Sequence, residues 1–162
     1  MKIEESHIVE TSDYRVIIYP ASRPFTAKES KTIAERLYDF LGDWAAHGKA
    51  LSSSFKIEKN QFIIICVDEE KEAASGCSID ALGKVMRALD LEFELGLFDR
   101  MKASFIENGE VKTLKLSDFK NKIKTGELSK DIHVFDFSKN TYLDFLSHFI
   151  QPFSRSWASA IA

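Results

Sequence analysis

The distribution of apolar and polar residues divides the chain into short strands and amphipathic helices. The segment YRVIIYP, residues 14–20, is apolar, rich in β-branched residues and closed by proline, which predicts a buried strand. The segment FIIICVD, residues 62–68, is apolar without alternation and predicts a central strand covered on both faces. Residues 53–59 and 101–107 alternate between apolar and polar side chains, which is typical of half-buried edge strands.

Two longer helices are predicted between these strands. Helix one runs from about residue 27 to about residue 46, and Thr26 and Glu29 have the spacing of a capping box at its start. Helix two covers residues 79–93, with Ser78 as its N-cap. Apolar residues recur at helical spacing in both segments, so we expect each helix to bury one face.

The order of these elements predicts a ferredoxin-like fold. Up to residue 107 the order is β-α-β-β-α-β, and the four strands of that fold have the spatial order 4-1-3-2. Strands 14–19 and 62–67 should therefore be adjacent in the middle of one antiparallel sheet, with both helices on one face. Residues 108–162 predict a C-terminal βαβα extension. We expect a single α+β domain, an antiparallel sandwich whose ferredoxin-like core covers residues 1–107.

Composition and charge argue against several classes of protein. The 162 residues carry a net charge of −3, with basic and acidic residues interspersed, so a nucleic-acid partner is not expected. The two cysteines form no disulfide framework and have no zinc-ligand spacing, and no cofactor or metal is predicted. The opening MKIEESHIVE lacks the apolar region of a signal peptide, and no apolar run suits a membrane span. We expect a cytoplasmic protein with no membrane partner.

Three residues with chemically active side chains fall near one end of the predicted sheet. His47 follows helix one, Asp68 ends the central strand, and Cys77 precedes helix two. A thiol at a helix N-terminus feels the positive end of the helix dipole, and a nearby imidazole can stabilise the thiolate. This arrangement predicts a cysteine nucleophile or a redox-sensing thiol.

A structural role for the same stretch is the favoured interpretation. Gly76 permits a bend that other residues resist, and Cys77 then fills a small hole beside Ile79 and Trp44. We therefore expect Cys77 to be mostly buried. We expect His47 to bond the last carbonyls of helix one.

Four charged residues are further candidates for ligand binding. Arg23 lies in the loop after the first strand and has the charge to bind an anion, although a loop arginine is usually solvated. Asp80 lies at the start of helix two. Asp99 and Arg100 form a turn before the strand at 101–107.

The chain resembles an uncharacterised protein family of Bacteroidetes-type bacteria in four segments, RVIIYPASRPFT, WAAHGKAL, FIIICVDEEKEAASGCSID and LFDRM. The resemblance covers residues 15–107. Members often carry the label "ABC transporter ATPase", which implies a P-loop of the form GxxxxGK[ST]. The nearest string, GDWAAHGKA at 42–50, has one residue too many between its glycines and Ala50 in place of the Mg²⁺-binding hydroxyl. The sequence therefore does not support ATP hydrolysis by a P-loop.

No complete catalytic motif is present, so enzyme activity is left open. We favour a non-enzymatic binding or interaction module, because sheets of this class are commonly used in pairing and dimerisation. The alternative is a small thiol-dependent enzyme or redox sensor that uses Cys77 with His47. The partner is unknown, and a homodimer through the sheet is one form that pairing could take.

Overall fold

Residues 13–161 are described by a computed structural model, in which four helices are interspersed among short antiparallel strands. Residues 1–12, including the opening used above to argue against a signal peptide, and residue 162 lie outside the described residues. The strands are β1 (Arg15–Pro20), β2 (Ala45–Ala46), β3 (Lys49–Ala50), β4 (Ser53–Glu58), β5 (Phe62–Val67), β6 (Lys102–Glu107), β7 (Glu110–Lys115), β8 (His133–Phe135) and β9 (Ile150–Pro152). The helices are α1 (Ala27–Asp43), α2 (Gly76–Phe93), α3 (Leu116–Thr125) and α4 (Tyr142–His148). Two short 3₁₀ turns, Phe153–Arg155 and Trp157–Ala160, follow β9.

The first sheet, sheet I, has three antiparallel strands in the order β1-β5-β4. Its central strand β5 is buried at every position, as the continuous apolar run predicted. Strand β1 pairs with β5, with Val16 opposite Cys66, so the predicted adjacency of these two strands is confirmed. Helices α1 and α2 pack together on one face of this sheet, against a cluster that includes Ile63 and Ile65.

Helix α1 begins where the sequence predicts and ends earlier. Thr26 accepts from the backbone N–H of Glu29, and the Glu29 carboxylate accepts from the backbone N–H of Thr26, so the predicted capping box is present. The helix ends at Asp43 because the next residue adopts an extended backbone. The chain then forms the β2–β3 hairpin, turning through His47 and Gly48 with positive φ angles of 51° and 76°.

Helix α2 begins three residues before the predicted start. Ser75, rather than Ser78, is the N-cap: its hydroxyl accepts from the backbone N–H of Ser78, and the Ser78 hydroxyl accepts from the backbone N–H of Ser75. The indole N–H of Trp44 donates to the carbonyl of Ser78 at 2.8 Å. This bond holds the first turn of α2 against the end of α1.

The predicted place of the fourth strand is wrong, and the ferredoxin-like topology is not confirmed. Strand β6 belongs to a second sheet, sheet II, with the order β7-β6-β8-β9. A tight turn through Asn108 and Gly109, both with positive φ, pairs β6 with β7, and the other edge of β6 pairs with β8. Both edges of β6 are thus occupied, so β1 is an edge strand of sheet I and not a central one.

The two sheets pack face to face. Val16, Ile64 and Cys66 of sheet I meet Phe135 of sheet II in one buried cluster, to which α4 adds its aromatic side chains. A separate cluster covers the outer face of sheet II with α3 and the C-terminal 3₁₀ turns. The layers are therefore helices, sheet I, sheet II and α3. The segment after residue 108 supplies most of the second sheet rather than an extension of the first.

Within residues 13–161, no helix has the length and apolar character that a membrane crossing requires.

Candidate binding site at the free edge of strand β1

The three residues of the predicted thiol site are held by separate elements. Cys77 is exposed in the first turn of α2, so the prediction that it is buried is wrong. His47 is exposed at the tip of the β2–β3 hairpin and does not cap α1. The Asp68 carboxylate accepts from the backbone N–H of Glu70 at 3.2 Å. No hydrogen bond joins His47, Asp68 and Cys77 to one another among the described residues, and their catalytic role stays a prediction.

The phase of α2 explains the exposure of Cys77. Because the helix begins at Gly76, Cys77 lies on the same face as the exposed Asp80 and Lys84, while Ser78 lies on the buried face with Leu82. Gly76 is an ordinary first helical residue, and its φ is not in the left-handed region. The bend predicted there is absent.

Arg23 is not free to bind an anion, because its guanidinium is already engaged. It donates to both carboxylate oxygens of Glu29 at 2.8 and 2.9 Å and to the carbonyl of Phe93 at 2.6 Å. These bonds join the loop after β1 to the start of α1 and the end of α2. The hydrogen bond from Arg23 holds the pKa of the Glu29 carboxyl down at about 2.

The remaining candidates, Asp99 and Arg100, lie beside the free edge of β1. The Asp99 carboxylate accepts from the backbone N–H of Met101 at 2.9 Å, as expected for a turn. Arg100 is exposed, and its side chain has no ion pair or hydrogen bond within the described part of the chain.

The outer edge of β1 is covered only at its beginning. The backbone N–H of Val16 donates to the carbonyl of Asn140 at 2.8 Å, and the backbone N–H of Tyr142 donates to the carbonyl of Tyr14 at 2.8 Å. Backbone groups of alternate residues in a strand point to the same edge, so the N–H and carbonyl of Ile18 also point outwards. Neither group has a partner within residues 13–161.

The covering segment turns away before it reaches Ile18. The next ladder bond would join Ile18 to Ser138, but the backbone N–H of Ser138 donates instead to the Asp136 carboxylate at 2.9 Å. Lys139 holds that turn by ion pairs of 3.5 Å to Asp136 and 3.4 Å to Asp144. The outward backbone groups of Ile18 are thus open, whereas the outward carbonyl of Pro20 accepts from the Lys102 ammonium at 2.6 Å.

Two clefts meet at this open edge. One, of about 500 Å³, lies between residues 17–20 and the loop 97–100. The other, of about 620 Å³, lies between residues 13–18 and the segment 137–141. Ile17, Ile18 and Phe137 line both clefts, so the two adjoin at these residues. We call the first the Phe98 cleft and the second the Lys139 cleft.

The wall of the Phe98 cleft is fixed by specific contacts. The Phe98 ring packs edge-on against Tyr19 with 5.8 Å between ring centroids, and the Arg87 guanidinium lies 5.0 Å from the centre of the Phe98 ring. Gly96 has a φ of +72°, and a Cβ atom there would lie 2.3 Å from the Ser22 hydroxyl. The loop therefore approaches the end of β1 more closely than any other residue type allows.

A buried lysine of β6 binds the loop after α2 through a hydrogen bond to its backbone. Lys102 is 6% exposed, and its ammonium donates to the carbonyls of Pro20 and Gly96 at 2.6 Å each and to the Ser22 hydroxyl at 3.0 Å. Burial lowers the pKa of Lys102 to about 8. Lys102 thus joins sheet II to the end of β1 and to the loop after α2.

Sequence reasoning missed this site because it assigned the edge of β1 to a fourth strand. Asp99 and Arg100 were identified as candidates, but the cleft beside them depends on where β6 pairs. Pro20 gave a partial signal, since proline within sheets is confined to edges and strand ends.

No group of three or more histidine, cysteine or acidic side chains among the described residues is arranged to hold a metal ion. No protein-family model, curated protein or solved structure matches the chain.

Proposed function

We propose that the protein is a non-enzymatic interaction module that binds an extended peptide segment of a partner protein along the free edge of β1. The outward N–H and carbonyl of Ile18 carry this proposal, because unpaired backbone groups on an edge strand accept a further strand. Main-chain hydrogen bonds supply affinity in such complexes, and side-chain pockets supply specificity.

The surroundings of Ile18 suit a strand rather than a small polar ligand. Side chains of β1 alternate, so Ile17 and Tyr19 face the helices while Ile18 faces sheet II. Phe98, which is 38% exposed, extends the first of these apolar surfaces beyond the edge. Phe137 extends the second. A bound strand would therefore place side chains against apolar surface on both of its faces.

Selection of a random peptide library displayed on phage tests the proposal. We expect the folded protein to enrich peptides with several consecutive β-branched or aromatic residues. Ile18→Pro should abolish binding of the enriched peptides, because it removes the outward N–H without disturbing the pairing of β1 with β5. Ile18→Ala is the matched control, since it loses similar packing and keeps the N–H.

Two outcomes contradict the proposal. One is that no peptide is enriched, or that Ile18→Pro and Ile18→Ala bind the enriched peptides equally well. The other is that sedimentation of the wild-type protein shows a dimer that Ile18→Pro dissociates, because the occupant of the edge is then a second copy of this chain.

The thiol alternative is a second candidate function, favoured by the exposure of Cys77 in the first turn of α2. An exposed thiol there is accessible to oxidants and electrophiles. Alkylation of the folded protein tests it: a thiol enzyme that uses His47 requires slower labelling of Cys77 in His47→Ala. An unchanged rate excludes that pairing.

A further inference from the structure

Arg100 is the only cation lining the Phe98 cleft, and its charge is not neutralised within residues 13–161. The one acidic residue of that lining, Asp99, accepts from the backbone N–H of Met101 and lies close enough to influence the buried ammonium of Lys102. Arg87, which covers the Phe98 ring, adds a second positive charge at the wall. Arg100 and Arg87 have no ion pair within residues 13–161, so unpaired positive charge lies at this end of the cleft.

The rest of the Phe98 cleft is apolar. Its lining includes Ile17, Ile18, Tyr19, Leu97 and Phe98. A volume of about 500 Å³ lies within the range of pockets that bind specific ligand groups. An arginine beside such a surface favours a ligand that combines large apolar side chains with a carboxylate, because the guanidinium binds carboxylates through two parallel hydrogen bonds.

The Lys139 cleft indicates how the ligand continues. It shares Ile17, Ile18 and Phe137 with the Phe98 cleft and runs on past Arg15. The cations of this second cleft are paired: Lys139 with Asp136 and Asp144, and Arg15 with Glu69 at 3.8 Å. The segment 140–142 covers the outer edge of β1 up to Val16, so a strand paired at Ile18 must leave β1 there. The positive charges that are unpaired among the described residues, Arg100 and Arg87, lie at the other end, near Pro20.

We infer that Arg100 selects the partner of the proposed module, and that this partner is an internal extended segment of a protein with apolar residues followed or preceded by Asp or Glu. The inference rests on the proposed function, since it places the apolar residues along β1 and the acidic side chain at Arg100. An acidic side chain and a terminal carboxylate offer Arg100 the same chemical group, and amidation of the peptide distinguishes them.

Peptide selection with Arg100 variants tests this inference. The wild-type protein should enrich sequences with an acidic residue at a fixed distance from the apolar residues. A synthetic peptide of the enriched sequence should bind about three- to tenfold more tightly than the same peptide with Asp replaced by Asn or Glu by Gln, the range expected for a charge pair at a solvent-exposed rim. Arg100→Gln should remove that difference, and Arg100→Glu should select basic residues at the same position.

Arg155→Gln is the matched control, because Arg155 is also an exposed arginine but lies in the C-terminal 3₁₀ turn outside both clefts. It should leave the acidic preference unchanged.

Failure to enrich any peptide contradicts the proposed function itself. Two results overturn only the inference about Arg100, provided that Ile18→Pro still abolishes peptide binding. One is that the enriched peptides show no preference for an acidic residue. The other is that Arg100→Glu keeps the acidic preference. A requirement for a free C-terminal carboxylate, lost on amidation, overturns the choice of an internal segment.

Discussion

Val16 donates its backbone N–H to the carbonyl of Asn140 at 2.8 Å, and this is the last backbone–backbone hydrogen bond on the outer edge of β1 before Ile18. Beyond it the segment 137–140 turns away, and the loop 97–100 approaches the far end of the strand. The two segments leave the backbone of Ile18 between them. This gap is where the fourth strand of a ferredoxin-like sheet would lie, and the pairing of β6 within sheet II leaves it open.

The Arg23–Glu29 pair should make stability depend on pH in the acid range. The pKa of Glu29 is about 2 in the folded protein against an ordinary value of 4.5, and the hydrogen bond from Arg23 is the main cause. The stability that the ionised Glu29 carboxylate contributes to the folded protein is therefore complete above about pH 4.5 and is lost as the pH falls towards 2. Glu29→Gln should lower the free energy of unfolding by about 1–3 kcal/mol at pH 7.

Urea denaturation of both proteins at pH 7 and pH 3 measures this difference. The gap between wild type and Glu29→Gln should be smaller at pH 3. Glu35→Gln on the same helix is the control, because its ion pair with Lys31 is solvent-exposed and should contribute less than about 1 kcal/mol. If the difference in free energy of unfolding between wild type and Glu29→Gln is the same at both pH values, the expected effect is contradicted.

Lys102 should make stability depend on pH in the alkaline range. Its folded pKa of about 8 lies below the ordinary 10.5, so the unfolded chain binds more protons between these values and stability gains a contribution as the pH rises from 8 to 10.5. Lys102→Met should cost about 1–3 kcal/mol at pH 7, because the carbonyls of Pro20 and Gly96 lose their donor.

Chemical denaturation at pH 7.5 and pH 10 measures this effect. The advantage of wild type over Lys102→Met should be larger at pH 10. Lys84→Met, which removes an exposed lysine of α2, controls for the loss of one charge. If the free energies of unfolding of Lys102→Met and Lys84→Met change equally with pH, the low pKa of Lys102 does not account for the effect.

Two glycines with positive φ should differ in their tolerance of alanine. Gly96 and Gly109 have φ angles of +72° and +79°, so both variants should lose about 1 kcal/mol or more from backbone strain. Only at Gly96 does the new Cβ meet another atom, the Ser22 hydroxyl at 2.3 Å. Thermal unfolding should show a clearly lower Tm for Gly96→Ala than for Gly109→Ala, and equal values would show that the loop does not press against Ser22.

The two cysteines should differ in reactivity. Cys77 is exposed, whereas Cys66 is buried between the sheets, and burial raises the pKa of the Cys66 thiol to about 11. Iodoacetamide near pH 7.5 should modify Cys77 in the folded protein and Cys66 only after unfolding. Cys77→Ser should change stability by less than about 0.5 kcal/mol, as is usual for surface substitutions. Mass spectrometry of tryptic peptides distinguishes the sites, and equal labelling of both thiols would contradict this assignment.

Local sequence signals predicted the elements well and their long-range pairing less well. The capping box at Thr26 and the continuous apolar run of β5 depend on neighbouring residues and are present as expected. The start of α2 was misplaced because Ser75 and Ser78 are both good N-caps, and the earlier start brings Cys77 into the first helical turn, on the exposed face. The exposure of Cys77 follows from that choice.

The partner of β6 could not be read from its own residues. Strand β6 alternates as an edge strand does, yet it lies inside sheet II, where its polar Ser104 is buried and bonded to Thr113 at 2.7 Å. Such bonds join residues of different strands, so the sequence of β6 alone contains no pattern that predicts them. The candidate site beside β1 depends on this pairing, so only its flanking residues Asp99 and Arg100 could be identified in advance.

Amide hydrogen exchange at Ile18 tests the open edge most directly. The backbone N–H groups of Ile17 and Tyr19 point towards β5, and that of Val16 is bonded to Asn140, so all three should exchange slowly in the free protein. The N–H of Ile18 should exchange much faster and become protected when a selected peptide binds. Exchange at Ile18 as slow as at Ile17 and Tyr19 in the free protein would show that the edge is already occupied, and would contradict the proposed binding site.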